Sequence, residues 1–366
     1  MSGLADIASP HAGSRGAAVT ARPGVKADAV STALQPLRVI DPASWRRLAA
    51  CAIEANGYYL PEWELAVSAS ARGRTEASAL AVWRDRPGDD SRRLAALLPA
   101  ISLWRALRIP LPALVSADPY GTLGTPMLDR ACADTAADGL MRAARQAGAH
   151  ALLIRDLPLD GEVMAAFTRA LGRTGAKPRL LDSYARACLD ATRDAETLLR
   201  DALGSKKLKE LRRQRNRLAD HGEVVFRAAR EPEAVAAALE IFLDLESSGW
   251  KGARGTALAN HPGDAAFIRR AAVALAAHGQ CEIMTLHAGD EPAAAAVVLR
   301  HHDQAYYFKL GINERFARLS PGVQLTLDIT RHFCADPAIT RVDSTANAGH
   351  PMIDPIWRGR LAVGDV

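Results

Sequence analysis

The chain alternates between stretches with apolar residues three and four positions apart and short apolar runs bounded by turn residues, the pattern of an α/β protein. A short strand at Leu37–Ile40 is expected to lead into a helix capped by Asp41, with Pro42 at its first position. Asn56-Gly57 should close that helix and Pro61 open the next. Ala77–Arg84 and Arg93–Leu103 read as neighbouring strands about the turn Pro87–Asp90, and Ala113–Ala117 as a further apolar strand. That strand runs into the Gly/Pro-bearing loop DPYGTLGTP, followed by a helix over Cys132–Ala147, a strand at Ala149–Ile154, a helix at Glu162–Leu171 and a strand at Pro178–Tyr184.

The second half repeats this order. Glu223–Arg227 is predicted as a strand, Glu233–Ser247 and Asp264–Ala277 as helices, and Cys281–His287 with Ala293–Leu299 as a hairpin about Gly289-Asp290. Tyr306–Ile312 is the next strand, then come a loop, a helix over Pro321–Cys334 and a strand at Ile339–Asp343. Each half therefore reads as strand, helices, two hairpin strands, strand, glycine-bearing loop, helix, strand, with Gly124 and Gly322 in similar places. Duplicated α/β units of this kind often bind ligand along their shared face.

Composition changes this picture in two respects. The 366 residues suit two domains, and the first 35, rich in Ala, Gly, Ser and Pro, read as a disordered tail without a signal-peptide core. No stretch is apolar enough to span a membrane, and the five cysteines, Cys51, Cys132, Cys188, Cys281 and Cys334, lack metal-ligand spacing. A cytoplasmic, metal-free protein is expected; the oligomeric state is open.

Charge is the second. Ser205–Leu218, SKKLKELRRQRNRL, holds seven Lys or Arg against one acid, a local +6 in a chain of net +5, so the remainder sums to −1. Such a patch attracts polyanions. The segment reads as a helix capped by Ser205 and ended by Gly222, with Leu208, Leu211 and Leu218 as a narrow apolar seam. Lys206 and Lys207 fall in the first turn, where the helix dipole disfavours cations. Lys206, Lys207, Arg212, Arg213 and Arg215 are candidate contacts for an anionic ligand; a solvated linker helix is the plainer alternative.

The sharpest local site is Ser320-Pro321-Gly322-Val323-Gln324-Leu325, between a strand and a helix. Ser320 suits an N-cap, Pro321 the first helical position, and Gly322 removes a side chain where a ligand would meet the backbone. Free N–H groups and the dipole suit such a helix start to a pyrophosphate, with Arg315 and Arg318 close by. On these residues alone, a well-capped helix explains the pattern equally well.

LESSGWKGARGTAL (245–258), YYFKLGINERFARLSPGVQL (306–325) and VDSTANAGHPMIDPIWRGR (342–360) resemble the bacterial GNAT acyltransferase group associated with cellulose biosynthesis, related to the Fem-type transferases. The resemblance implies two tandem GNAT-like domains, each a mixed twisted sheet flanked by helices: a tail over 1–35, a degenerate first domain over 36–192, a basic linker over 193–221 and an acyl-CoA-binding domain over 222–366. RLSPGVQL carries one glycine where the family's cofactor loop has two. A second GNAT domain normally has further strands after HPMID, so either closing strands are lacking or the fold is trimmed.

What the resemblance implies is acyl transfer, acetyl in the simplest case, from acyl-CoA to an amine or hydroxyl of a negatively charged or saccharide-type acceptor. Phe308, Lys309, Leu310 and Gly311 would supply backbone donors along the fourth strand, and Arg318 and Ser320 to Leu325 the pyrophosphate site. Glu246, Asp343, His350 and Asp354 are the candidate bases, Asp343 foremost because it ends the strand after the cofactor helix. Trp250 and Lys251, in the glycine-flanked GWKGARG, suit a ligand ring, sugar face or phosphate. Lys309 either faces solvent or reaches into the cleft. Aminoacyl transfer from aminoacyl-tRNA, with the basic helix on the tRNA backbone, and a non-catalytic module for an anionic ligand are the two rival readings.

Overall fold

A computed structural model describes residues 30–86 and 89–366; the side chains of 86–91, Trp250 and Lys251 lie outside the description. In chain order the strands are β1 (Val30–Pro36), β2 (Ser78–Arg86), β3 (Asp89–Ser102), β4 (Ala113–Ser116), β5 (Met127–Leu128), β6 (Ala151–Leu153), β7 (Leu157–Pro158), β8 (Asp182–Asp190), β9 (Val224–Ala229), β10 (Cys281–Ala288), β11 (Glu291–His301), β12 (Gln304–Ile312), β13 (Arg341–Asp343) and β14 (Gly359–Asp365). The helices are α1 (Pro42–Ala50), α2 (Pro61–Ser70), α3 (Leu103–Leu107), α4 (Ala133–Gln146), α5 (Glu162–Gly172), α6 (Ala195–Ala219), α7 (Pro232–Ser248), α8 (Trp250–Ala253), α9 (Pro262–Ala276) and α10 (Pro321–Cys334).

Two mixed sheets result. The first runs β1-β2-β3-β4-β6 with β5 on β3; the second runs β7-β14-β8-β13-β12-β11-β10-β9. The internal repeat is visible in the pairing. Three antiparallel pairs followed by one parallel pair, β4 with β6, build the first sheet. The same sequence from β9 to β13, with β12 and β13 parallel, builds the second. In each half a helix, α4 or α10, crosses between the two parallel strands. The chain is thus a mixed α/β protein of two sheets, each flanked by helices.

Local chemistry explains the elements. Asp41 accepts hydrogen bonds from Ser44 N at 2.8 Å and Ala43 N at 3.3 Å, so α1 begins where Asp-Pro predicts. Alanine lines the faces that meet the sheets: Ala133, Ala136, Ala137, Ala143 and Ala144 are buried on α4, and Ala293–Ala296 on β11. Small side chains let helices approach closely, which accounts for the alanine-rich composition. The sheets are joined by α2 packing along α9 and by an aromatic cluster. Trp63 of α2 lies edge-on to Phe267 of α9 at 5.1 Å and to Phe308 of β12 at 4.9 Å. Tyr58 meets Tyr306 at 5.8 Å.

Several expectations are corrected. Residues 30–36 of the supposed tail form edge strand β1, paired with β2 from Val30↔Arg84 to Pro36↔Ser78; residues 1–29 lie outside the described residues, as does part of the Pro87–Asp90 turn. Leu37–Val39 is a 3-10 turn rather than a strand. Helix α1 ends at Ala50, and Asn56 instead caps a 3-10 turn at Gly57–Tyr59 through Tyr58 N and Tyr59 N. The strand expected at Pro178–Tyr184 lies at Asp182–Asp190. It enters the second sheet beside β13 and β14, although the sequence reading assigned 36–192 to the first domain. The strands thought to be lacking after HPMID are therefore present: β14 follows it, and β7 and β8 arrive from earlier in the chain. The basic helix extends back to Ala195, with a break at Gly204 (φ 70°, ψ 165°) just before Ser205.

Candidate functional site

Strands β12 and β13 pair only from Gln304↔Arg341 to Tyr306↔Asp343. Beyond this β12 continues to Ile312 paired only with β11, so a wedge opens between β12 and β13. A cavity of about 630 Å³ fills it, bounded by Phe308, Lys309 and Leu310 on β12, by the start of α10, and by Thr345 and His350. The register of β11 on β12 slips here. Val297 faces Lys309 and Val298 faces Tyr307, which leaves Phe308 as an extra, bulged residue outside the ladder. Thr345 Oγ1 donates to Tyr307 O at 2.8 Å and ties the far wall to the bulged strand.

The start of α10 differs from expectation in detail. Ser320 is left-handed (φ 55°, ψ 49°), and its side chain makes no cap hydrogen bond. The first-turn N–H groups of a helix have no carbonyl partner within it, so this end keeps its anion-binding character with Arg318 exposed nearby. Gly322 is closely packed: a Cβ there would lie 2.8 Å from Leu310 Cδ2 and 3.2 Å from Ile312 Cγ2, so those side chains would have to move aside. Gln324 and Leu325 are buried away from the cavity, Gln324 donating through Nε2 to Leu211 O of α6 at 2.9 Å. Gly311 is buried on β12 and lines neither this cavity nor the one described next.

A second cavity of about 330 Å³ occupies the corresponding wedge of the first sheet, where β4 and β6 part after Val115↔Leu153. Its walls include Arg74, Tyr120, Arg155 and Asp156, and it shares Thr122, Phe308, Lys309 and Thr345 with the larger cavity. The duplication has turned the two wedges towards each other across the joint. Thr122 Oγ1 closes the contact by donating to Thr345 O at 2.8 Å. The loop carrying Thr122 can lie this close because Gly124 has no side chain; a Cβ would stand 2.2 Å from Arg155 O.

Charged groups gather where the cavities meet. Lys309 Nζ lies 3.2 Å from Glu246 Oε1 and 5.8 Å from the centre of the Tyr120 ring, which also carries the Arg74 guanidinium at 4.2 Å. Tyr120 donates its hydroxyl to Asp264 Oδ2 at 3.0 Å. Asp156, left-handed at φ 50°, accepts from the Tyr184 hydroxyl at 2.9 Å. Burial pushes the Asp156 carboxyl above its ordinary value, against the lowering effect of the Tyr184 bond and Arg186.

The four predicted bases separate. Asp343 is 1% exposed, with Oδ2 on Arg186 Nη2 at 2.5 Å and Oδ1 accepting from Thr345 N at 2.9 Å; it lines neither cavity. Burial would lower the Arg186 pKa, but the facing carboxylate more than reverses this. Arg186 Nη1 in turn donates to Thr122 O and Oγ1, so this buried pair anchors both loops at the junction. Glu246 lies buried behind Lys309 and accepts from Leu258 N at 2.8 Å through Oε2. His350 lines the larger cavity. Asp354 is set back from it, accepting from Gly349 N at 3.2 Å.

The proposed ligand contacts fare differently. Lys206, Lys207, Arg212 and Arg213 are exposed on α6, Arg215 is bound to Asp328 at 2.8 Å, and none of the five lines either cavity. Their helix packs on α10 and on the 3-10 turn Glu314–Leu319. Trp250 and Lys251 have side chains outside the described residues. Sequence reasoning missed Tyr58, Arg74, Tyr120, Arg155 and Asp156. Of these only Tyr120 lies in the DPYGTLGTP loop, whose Gly124 matches Gly322 in position; the other four carry no local signal. Among the described residues no cluster of His, Cys, Asp or Glu could hold a metal ion, and no helix is long and apolar enough to cross a membrane.

Known proteins share part of this sequence and the fold. Residues 205–350 match the family model of the acetyltransferase (GNAT) domain. FemX superposes with a TM-score of 0.55 at 10% identity, over 89% of this chain and 95% of that one. A conserved protein of unknown function from Bacteroides thetaiotaomicron gives 0.51 at 11% identity, over 89% and 98%. A tandem GNAT protein from the clavulanic acid biosynthesis pathway gives 0.40 at 14% identity, over 92% and 98%. No curated protein matches the sequence. The chain carries, over residues 205–350, a domain that matches the GNAT acetyltransferases, set within a two-sheet fold shared with FemX.

Proposed function

We propose that the protein is an N- or O-acyltransferase that moves an acyl group, acetyl in the simplest case, from acyl-CoA to an amine or hydroxyl. The observation that carries this reading is the pair of facing cavities that share Phe308, Lys309 and Thr345. One has the attributes of a thioester site: a splayed strand pair, a bulge at Phe308 and an open helix start. The other is rimmed by Arg74, Arg155 and Lys309 together with Asp118 and Asp156, a mixed-charge wall that suits an acceptor bearing many hydroxyls or both signs of charge.

In this reading the diphosphate rests on the α10 N-terminus beside Arg318, and the thioester carbonyl lies along β12. The bulged N–H at Phe308 meets the oxygen as negative charge develops on it. The acceptor enters from the smaller cavity. Asp156, its carboxyl raised by burial, takes the proton from the attacking amine or hydroxyl as the new C–N or C–O bond forms; the thioester C–S bond then breaks and the thiolate leaves, taking up a proton from solvent, with His350 on the larger cavity the other group available. Glu246 fixes Lys309 and is a positioning residue. The cellulose-linked saccharide acceptor and a cytoplasmic setting belong to this proposal; the five free cysteines suit a reducing compartment.

A second reading, transfer of an aminoacyl group from tRNA, draws on the exposed cations of α6 and the FemX-like fold. Calorimetry with acetyl-CoA separates the two. Heat and thermal stabilisation at millimolar acetyl-CoA are expected, with thiol release detectable once an acceptor is supplied. Absence of both, with salt-sensitive binding of aminoacyl-tRNA instead, would replace the first reading by the second. Asp156→Asn should lower kcat by two or more orders of magnitude with KM for acetyl-CoA little changed.

A further inference from the structure

Six of the eight large hydrophobic side chains exposed among the described residues lie in two short segments. Trp104, Leu107, Ile109 and Leu111 stand on α3 and the turn after it, 52%, 45%, 39% and 61% exposed; Leu180 and Leu181 precede β8, 53% and 67% exposed. A soluble surface rarely gathers its apolar exposure in this way without a partner. The segments are far apart in sequence but continuous in space. His150 N donates to Pro112 O at 2.6 Å, which sets the start of β6 beside the turn that carries Leu111. From His150 the surface passes over an apolar cavity of about 400 Å³ to Lys177, Arg179 and Leu181.

The charge on this face is predominantly positive, with Glu76 beside Arg105 and Asp182 after Leu181 at its edges. Residues 101–116 contain two arginines and no acid, and residues 173–181 contain two arginines, one lysine and no acid. The cavity has an apolar floor that includes Leu152, Met164 and Phe167, with Arg145, His150, Lys177 and Arg179 around it and no Asp or Glu side chain among its lining residues. Arg108, Arg145, Lys177 and Arg179 make no ion pair among the described residues. A second copy of the chain docked here about a twofold axis would set these cations against themselves. Tryptophan and leucine at the tips, with unpaired Lys and Arg between them, match instead the interface of a bilayer that carries anionic lipid.

We propose that this face, formed by 104–111, 177–181 and the cavity between them, docks the protein on an anionic membrane surface, the cavity taking one lipid chain with its phosphate among the surrounding cations. Strand β4 runs from Ala113 at this face to Ser116 at the smaller of the two facing cavities. Docking would therefore leave the facing cavities at the other end of the sheet open to solvent. This inference stands apart from the acyl-transfer reading.

Co-sedimentation of the full chain with vesicles of phosphatidylcholine, with and without phosphatidylglycerol, tests it. Binding is expected only when phosphatidylglycerol is present. Lys177→Gln with Arg179→Gln should reduce the partition coefficient roughly 30-fold, about fivefold for each cation removed. Leu180→Ser with Leu181→Ser should also reduce it, and both exposed pairs should leave the melting temperature unchanged. Binding to neither vesicle, or binding that both double variants retain, would overturn the proposal. So would a concentration-dependent dimer, seen by sedimentation without lipid and abolished by the same variants. Dihexanoyl phosphatidylglycerol below its micellar concentration should raise the melting temperature; no shift would overturn the role given to the cavity.

Discussion

Replacing Asp343 by Asn separates a structural carboxylate from a catalytic one. The Asp343 and Arg186 side chains are 2% and 0% exposed, with 2.5 Å between Oδ2 and Nη2. Removing one partner of such a pair leaves a buried charge without its counter-ion, at a cost of about 3–5 kcal/mol. Asparagine still offers an oxygen to Thr345 N, so the lower end, about 3 kcal/mol, is expected. Unfolding entropy of about 2.1 cal/mol/K per residue gives roughly 0.8 kcal/mol/K for a chain of this length, so the melting temperature should fall by about 4 °C. Differential scanning calorimetry reads this directly, with Asp354→Asn as the control expected to shift by less than about 1 °C. Replacing both partners by apolar residues, Arg186→Met with Asp343→Leu, should recover much of the loss. Turnover in Asp343→Asn should fall only modestly, because the Thr122 and Thr345 loops loosen. If the variant melts within about 1 °C of the wild type and loses turnover by orders of magnitude, the structural assignment fails and Asp343 returns as the base.

Three further outcomes follow from the geometry. His301 accepts from Asn56 N at 2.9 Å through Nδ1 and is held neutral, burial and then His302 lowering its pKa to about 3. Its folded value lies below the unfolded one of about 6.5, so its contribution is complete above about pH 6.5 and is lost as pH falls towards 3, by up to about 4–5 kcal/mol; a urea-denaturation series on His301→Gln should flatten that part of the pH profile. Gly322→Leu should cost about 1–3 kcal/mol by forcing Leu310 and Ile312 aside, and should weaken acetyl-CoA binding by calorimetry; unchanged affinity would detach the α10 start from the thioester site. Arg212→Glu with Arg213→Glu should leave melting and acetyl-CoA binding intact, because both residues are exposed and away from the cavities, and only a polyanionic ligand such as tRNA should lose affinity; a change in acetyl-CoA affinity would contradict that placement.

The sequence alone determined the order of the longer helices and strands from α1 to β13, though not the short α3, α8, β5 and β7, because capping residues, turn pairs and apolar periods are local. Asp41-Pro42, Pro61 and Pro321 each open a helix as read. The internal repeat and the helix start at Pro321 were legible for the same reason, the repeat being a matter of order along the chain, whereas the wedge beside it depends on where β13 stops pairing with β12. Tertiary structure decided what depends on distant partners. Nothing local to Asp343 reveals that Arg186, 157 positions away, takes its carboxylate, so a cleft acid by position became a buried anchor. Nothing local to 182–190 says that this strand crosses to the second sheet, since an apolar run carries no mark of its neighbour. Arg74, Tyr120 and Asp156 of the smaller cavity come from three separate loops of the first half and meet only because the two sheets turn their wedges towards each other. The basic helix, conspicuous in sequence by its charge, lies outside that junction because its leucine seam packs Leu211 and Leu218 into the second core and leaves most of its cations facing water.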